Sequence, residues 1–179
     1  MVMSYTEARD YESLLQEEFG EDQITADVTG GLPEDPDSFD LKEAKEEFRE
    51  NLDEDEDRSY DGPDPKGDPW IEVDAEIIPE VIEYLKHNPE NGIQFDSLHS
   101  LGGDHLVSED QIVVNYHLYD LDNQQGIVLK VFLPEDEPVV PSVTDIHPGA
   151  EWHEREAYDL LGIRFTDHPD LRRILLPAD

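Results

Sequence analysis

Residues 111–119 and 126–133 constrain the fold of this chain more than any other stretch. In the first, Ile112, Val114, Tyr116 and Leu118 alternate with Val113, Asn115, His117 and Tyr119; in the second, Ile127, Leu129, Val131 and Leu133 hold every other position. Period two is the repeat of an extended backbone, whose successive side chains point to opposite faces, so both runs are expected to be strands. The intervening D-L-D-N-Q-Q-G is turn chemistry, and an antiparallel hairpin is the simplest connection.

A hairpin needs further strands and a covering layer, and the flanks supply both. Residues 70–75 alternate as a strand. Pro79 suits the first turn of a helix in which Ile78, Val81, Ile82 and Leu85 share a face, and Asn88-Pro89 ends it. Residues 93–101 are strand-like ahead of a turn expected at Gly102-Gly103. After the acidic loop Pro134–Pro138 the pattern becomes helical, first around Val143–His147 and then from Ala150 to Leu161, where Ala150, His153, Ala157, Leu160 and Leu161 form the face expected to pack on the sheet. The order is strand, helix, three strands, two helices and an extended tail. It predicts an α+β fold: a two-layer domain with a mainly antiparallel sheet and helices on one face.

This domain is expected to span residues 70–179, preceded by an acidic helical segment and linker over 1–69. Ser4 with Glu7 is a capping-box pattern, and Tyr5, Ala8, Tyr11, Leu15 and Phe19 recur at helical spacing up to Gly20, which predicts a helix over about 5–19. Asp40 with Glu43 caps a second, weaker pattern that carries Leu41, Ala44, Phe48 and Leu52 on one side. Residues 53–69 lack apolar periodicity and read as a solvated linker.

Charge narrows the partners. Twelve Lys and Arg face 47 Asp and Glu, a net charge of −35, which repels a nucleic acid backbone or an anionic membrane surface. The excess is not confined to a tail, since residues 1–68 carry 24 acids and 6 bases and residues 69–179 carry 23 and 6. Lysine is nearly absent beyond residue 66, where only Lys86 and Lys130 occur. The pattern points to a salt-adapted host, in which a Debye length of about 3 Å at 1 M salt screens the carboxylates from one another. No run approaches the roughly 18 apolar residues of a membrane span. The absence of cysteine excludes disulfides and cysteine-ligated metal or iron–sulfur clusters.

Against this background, four of the seven arginines (Arg155, Arg164, Arg172 and Arg173) fall within Glu154–Leu176. Glu151, Arg155 and Asp159 lie at four-residue steps on the predicted helix, so Arg155 can pair with an acid on either side, at about 0.3–0.5 kcal/mol per pair if exposed. Gly162 can stop the helix, and Asp167-His168-Pro169-Asp170 forms a turn. Arg172 and Arg173 then precede Ile174, Leu175 and Leu176. Such a pairing of arginine with large apolar groups has the composition of an interface, and internal pairing with Asp167 and Asp170 is the alternative.

Glu154-Arg155-Glu156, Asp159, Leu160-Leu161, His168, Arg172 and Ile174-Leu175 are spaced as in a family signature. The segment resembles the thirty-kilodalton C subunit of complex I-type NADH:quinone oxidoreductases. The similarity runs over roughly 70–179 and includes P-S-V-T-D at 141–145 and, more weakly, Leu98–His105. The resemblance implies a structural subunit without a redox cofactor in the hydrophilic arm of a membrane-bound respiratory complex. It would sit peripherally on the cytoplasmic side, against the subunit that forms the quinone pocket, and reach the membrane only through that complex. On this reading Glu154, Arg155, Glu156, Asp159, His168, Arg172 and Arg173 hold structure and docking, and catalytic and metal-binding residues are expected to be none. Members of the family usually continue beyond the equivalent of Leu175–Asp179, so a fragment or a short or split version is expected, with part of the interface between subunits missing or supplied elsewhere. Deazaflavin- and hydrogen-linked complexes contain related subunits, which leaves the electron donor open.

Two other classes fit less well. A metal enzyme would draw on His105, His117, His147 and His153, but the nearest pair, His147 and His153, is six residues apart and off a common helical face. Nucleophilic catalysis lacks a cysteine and a G-x-S-x-G turn. A free-standing acidic binding module is the remaining alternative.

Overall fold

The computed structural model describes residues 5–27, 69–87 and 93–177. The predicted hairpin is its centre: β4 (Gln111–Asp120) pairs antiparallel with β5 (Gln125–Pro134), in unbroken register from Gln111↔Pro134 to Asp120↔Gln125. Asp120 closes the turn. Its carboxylate accepts the Asp122 and Asn123 N–H groups, each at 2.9 Å, and the Gln94 N–H at 2.7 Å. Burial pushes this acid up, but the bonds from Asn123, Gln94 and Asp122 outweigh it and leave the pKa below the ordinary value.

The full sheet has five strands in the order β1-β2-β5-β4-β3, with β1 at Ile24–Asp27, β2 at Trp70–Val73 and β3 at Ser97–Leu106. Only the β2–β5 pair is parallel; β1–β2, β5–β4 and β4–β3 are antiparallel. Helices α1 (Tyr5–Phe19), α2 (Ile78–His87) and α3 (Ala150–Leu161) cover one face. A short 3₁₀ turn, Ala75–Ile77, leads into α2, whose buried residues are the predicted Ile78, Val81, Ile82 and Leu85. The core joins these to Ile112, Val114, Tyr116 and Leu118 of β4 and to Ile127, Leu129, Val131 and Leu133 of β5. The predicted apolar faces of α2, β4 and β5 therefore meet in one core.

The N-terminal residues do more than precede the domain. Ala8, Tyr11 and Leu15 of α1 and Ile24 of β1 lie in the same core, and β1 extends the sheet past β2. The helix predicted at 40–52 and the linker over 53–68 lie outside the described residues.

Two local expectations fail for identifiable reasons. Gly102-Gly103 is no turn, because β3 runs through it. A Cβ on Gly103 would stand 2.6 Å from Leu161 Cδ1 and 2.8 Å from Ile163 Cδ1, so glycine serves close approach of α3 to the sheet. Gly103→Ala is expected to cost about 1–3 kcal/mol through forced repacking, read as a lower midpoint in chemical denaturation. Val143–His147 is likewise no helix but a single turn closed by His147 N–H to Val143 C=O at 2.8 Å. Pro148-Gly149 follows at once, and the Val143 N–H is taken by a side chain from α3.

Past α3 the chain is stopped by Gly162, which is left-handed at φ 76°. Two strands too short to show periodicity then pair in parallel, β6 (Val139–Pro141) with β7 (Arg164–Thr166), and bury Val140 and Phe165. Among the described residues no helix is long and apolar enough to cross a membrane.

Candidate functional site: a charged helix that clamps two segments

Helix α3 inverts the expected polarity. Ala150 and Ala157 are buried as predicted, but Leu160 is 54% exposed and Trp152 62% exposed, whereas Glu154, Arg155 and Asp159 are buried. Hydrophobic spacing could not find this. A buried charge needs partners, and these three find them on two other stretches of chain, 142–143 and 172–176.

Glu154 is fully buried and faces the segment before the helix. Its Oε1 accepts the Val143 N–H at 2.8 Å, and its Oε2 accepts the Ser142 hydroxyl at 2.7 Å. Ser142 Oγ in turn lies 2.8 Å from Thr144 Oγ1 and accepts the Thr144 N–H at 3.2 Å. P-S-V-T is therefore the strand end that this glutamate grips, and Ser142 and Thr144 are site residues that the polarity pattern does not single out. Burial raises the Glu154 pKa from 4.5 to about 7, against the lowering pull of the Val143 N–H and the Ser142 hydroxyl.

His168 closes the same pocket from the far side. Its side chain is buried, with Nε2 3.2 Å from the Glu151 C=O and 3.9 Å from Glu154 Oε2. Nδ1 accepts the Asp170 N–H at 3.0 Å, which leaves Nε2–H as the donor to Glu151. The ring pins the Asp167–Asp170 turn to the first turn of α3.

Arg155 and Asp159 hold the tail. Arg155, 4% exposed, donates from Nε to the Arg172 C=O at 3.3 Å, places a guanidinium nitrogen 3.8 Å from Glu151, and lies 4.7 Å from the Trp152 ring. Of its two expected partners it keeps Glu151, while Asp159 turns elsewhere. Asp159 Oδ2 accepts three consecutive backbone N–H groups, from Ile174 at 2.9 Å, Leu175 at 2.6 Å and Leu176 at 2.9 Å. Burial pushes this carboxyl up, but those three N–H groups and the Arg173 guanidinium outweigh it and hold it below its ordinary value. The exposed salt-bridge stripe is thus replaced by a buried anchor. Because Glu151 can be resolvated once its mate is gone, Arg155→Ala is expected to cost about 1–3 kcal/mol, mainly through the orphaned Arg172 carbonyl, measurable in denaturant titration at high salt.

The remaining signature residues face outward. Glu156 is exposed beside a small cleft lined by Leu101, Gly102, Gly103 and His153. Arg172 pairs with Asp170 at 2.8 Å, and Arg173 Nε lies 3.8 Å from Asp159. Both arginines are solvent-facing, as are Leu175 and Leu176. The histidines weighed as ligands do not converge: His105 pairs with Glu135 at 3.2 Å, and among the described residues no three His, Asp or Glu side chains are grouped to hold a metal.

Residues 71–179 match the family described as the respiratory-chain NADH dehydrogenase 30 Kd subunit. The C subunit of an NADH-quinone oxidoreductase from Roseiflexus sp. strain RS-1 is 44% identical over 115 residues, which are 64% of this chain and 65% of that protein. The C subunit of an F(420)H(2) dehydrogenase from Methanosarcina mazei is 39% identical over 107 residues, 60% of this chain and 65% of that one. The chain thus spans just under two thirds of the length of these relatives. Among solved structures, a trypsin-resistant fragment of Nqo5 (residues 1–134) superposes with a TM-score of 0.52 at 28% identity, covering 73% of this chain and 98% of the fragment. A chain of an archaeal membrane-bound sulfane sulfur reductase shares the fold, with a TM-score of 0.54 at 23% identity over 62% of this chain and 64% of that one.

Proposed function

Because the chain belongs to the respiratory-chain NADH dehydrogenase 30 Kd subunit family, we propose that it is a non-catalytic structural subunit of the hydrophilic arm of a membrane-bound quinone oxidoreductase. It docks on the subunit that forms the quinone pocket, on the cytoplasmic side of the membrane. The carrying observation is what α3 does with its charges. Glu154, Arg155 and Asp159 are spent on backbone and hydroxyl groups of this chain, which suits holding a shape better than transforming a substrate.

The shape so held is a surface. Asp159 fixes the backbone at 174–176, and Arg172, Arg173, Leu175 and Leu176 around it face solvent. Arginine is enriched at interface centres, and its guanidinium can take a partner carboxylate bidentately. The double variant Arg172→Gln/Arg173→Gln is expected to leave the fold unchanged by circular dichroism and weaken binding to the quinone-pocket subunit by tenfold or more. Unaltered binding removes the docking role.

An equivalent subunit of a deazaflavin-linked complex is the second reading, favoured by the 39% identity to the F(420)H(2) dehydrogenase subunit. The two readings share every residue role above and differ only in the electron donor, which other subunits would meet.

A further inference from the structure

Strand β3 ends the sheet on the side away from β1, and among the described residues no strand pairs with its outer edge. In an antiparallel pair every second residue turns its N–H and C=O away from the partner, so β3, ten residues long, offers a row of such groups. The opposite end of the sheet is guarded by shortness, since β1 has four residues. From Ser100 to Leu106 β3 has no such guard: its register with β4 is regular, and it carries neither lysine nor proline. An edge of this length is a template for another strand.

Helix α3 lies beside that edge. At 100° per residue His153, Glu156, Ala157 and Leu160 fall on one stripe of the helix, and they line a cleft of about 270 Å³ whose other wall includes Gly102 and Gly103 of β3. Glu156 and Leu160 are exposed there. Among the described residues no hydrogen bond or ion pair engages the Glu156 carboxylate.

The two glycines of that wall differ. Gly103 is held to glycine by Leu161 and Ile163, but a Cβ on Gly102 would meet nothing within 4 Å, and its φ is not left-handed. Glycine weakens a strand interior through lost entropy, and nothing among the described residues calls for it at 102. A strand glycine also lets another backbone come close, and at Gly102 that backbone is not among the described residues.

Size and charge select the occupant. The cleft is smaller than the roughly 300–1,000 Å³ of small-molecule sites. A second copy is disfavoured, because the chain carries a net charge of −35 and two such surfaces repel. A sixth strand beside β3 turns every second side chain toward α3, with those side chains about 7 Å apart. Glu156 and Leu160, one helical turn apart, are separated by about 6 Å along α3, so a basic and an apolar side chain two residues apart can meet both.

We propose that β3 is completed by an extended segment of a partner protein, paired along Ser100–Leu106, with an apolar side chain on Ala157 and Leu160 and an arginine or lysine two residues away on Glu156. The contact adds a strand to the sheet and gives Glu156 the partner it lacks among the described residues. It goes beyond the proposed docking through Arg172 and Arg173, neither of which lines the cleft, and it does not require the partner to be the quinone-pocket subunit.

The chain has no cysteine, so Leu160→Cys takes one photo-reactive label, a benzophenone maleimide, in the full chain. Added at high salt to solubilised membranes of cells that lack the native chain and then irradiated, it is expected to give an adduct to one protein other than this chain, at a segment where a basic and an apolar residue stand two apart. Leu121→Cys, exposed on the β4–β5 turn, is expected to give none at that segment. A synthetic peptide of the segment is expected to slow exchange of alternate amides over Ser100–Leu106 at least tenfold in the isolated chain, and Glu156→Lys to weaken its binding fivefold or more. No adduct from Leu160→Cys, an adduct only to a second copy, or one at a segment without that pair of residues overturns the proposal. So does a peptide that binds without slowing those amides, or that binds the Glu156→Lys variant as tightly as the parent. Recovery of the membrane complex from the same cells separates each of these failures from failure of the proposed function.

Discussion

Replacing Glu154 with Gln is expected to remove a pH-dependent contribution to the stability of this domain. Burial lifts the Glu154 pKa from 4.5 to about 7 in the folded chain, so the folded state retains a proton that the unfolded chain releases. Stability from this source is complete below pH 4.5 and is lost as pH rises through 7. A shift of this size corresponds to about 3 kcal/mol. The amide keeps the geometry: its oxygen can accept the Val143 N–H, its NH2 can donate to Ser142 Oγ, and the Ser142 hydrogen can turn to Thr144 Oγ1, 2.8 Å away. The difference between variant and parent in unfolding free energy is therefore expected to rise by about 3 kcal/mol from pH 4.5 to pH 8. Asp120 and Asp159, whose pKa values are lowered, contribute stability that is lost toward low pH, with the opposite slope, and cancel in that difference. A flat difference across the range means that Glu154 is ionised and fully compensated where it lies.

Asp159→Ala is expected to free the tail without unfolding the domain. One carboxylate oxygen collects the N–H groups of Ile174, Leu175 and Leu176, and no strand or helix holds those residues. In hydrogen exchange those three amides should lose most of their protection, by tenfold or more, while β4 and β5 remain unchanged. Asp159→Asn tests the charge separately: its amide oxygen can still accept, but the attraction to Arg173 is gone, so intermediate protection is expected. If the three amides exchange at the parent rate in the alanine variant, the clamp does not hold the tail. Because Arg172, Arg173, Leu175 and Leu176 are displayed by this anchor, binding to the partner subunit should weaken in parallel with lost protection.

Much of the fold was legible because period and burial agree in its centre. The alternation in β4 and β5 places every second side chain in the core, and Ile78, Val81, Ile82 and Leu85 are the buried face of α2. Strands β1, β6 and β7 have three or four residues each, too few for a period to emerge. Gly102-Gly103 has the composition of a turn, and only the approach of Leu161 and Ile163 shows why a strand keeps glycine there.

The site was legible in position but not in arrangement. The gathering of arginines from Arg155 to Arg173 marks the segment, yet helical spacing offers Arg155 both Glu151 and Asp159 and does not tell an exposed stripe from a buried anchor. In the structure the charges point inward, because each meets backbone groups that no helix or sheet satisfies: Val143 N–H, Arg172 C=O, and the N–H groups of 174–176. Such bonds join residues 11–17 apart through the fold, and no periodicity along the chain encodes them. Leu160 misleads for the converse reason: apolar by type and placed by spacing on the packing face, it stays exposed.

The central claim is that this chain works as a structural subunit of a quinone oxidoreductase. Affinity isolation of the full-length chain from gently solubilised membranes at high salt, with identification of every copurifying protein, tests it most directly. The expected result is stoichiometric recovery of a quinone-pocket subunit together with iron–sulfur subunits, lost in the Arg172→Gln/Arg173→Gln variant. Recovery of the chain alone, with no membrane complex containing it, would contradict the assignment.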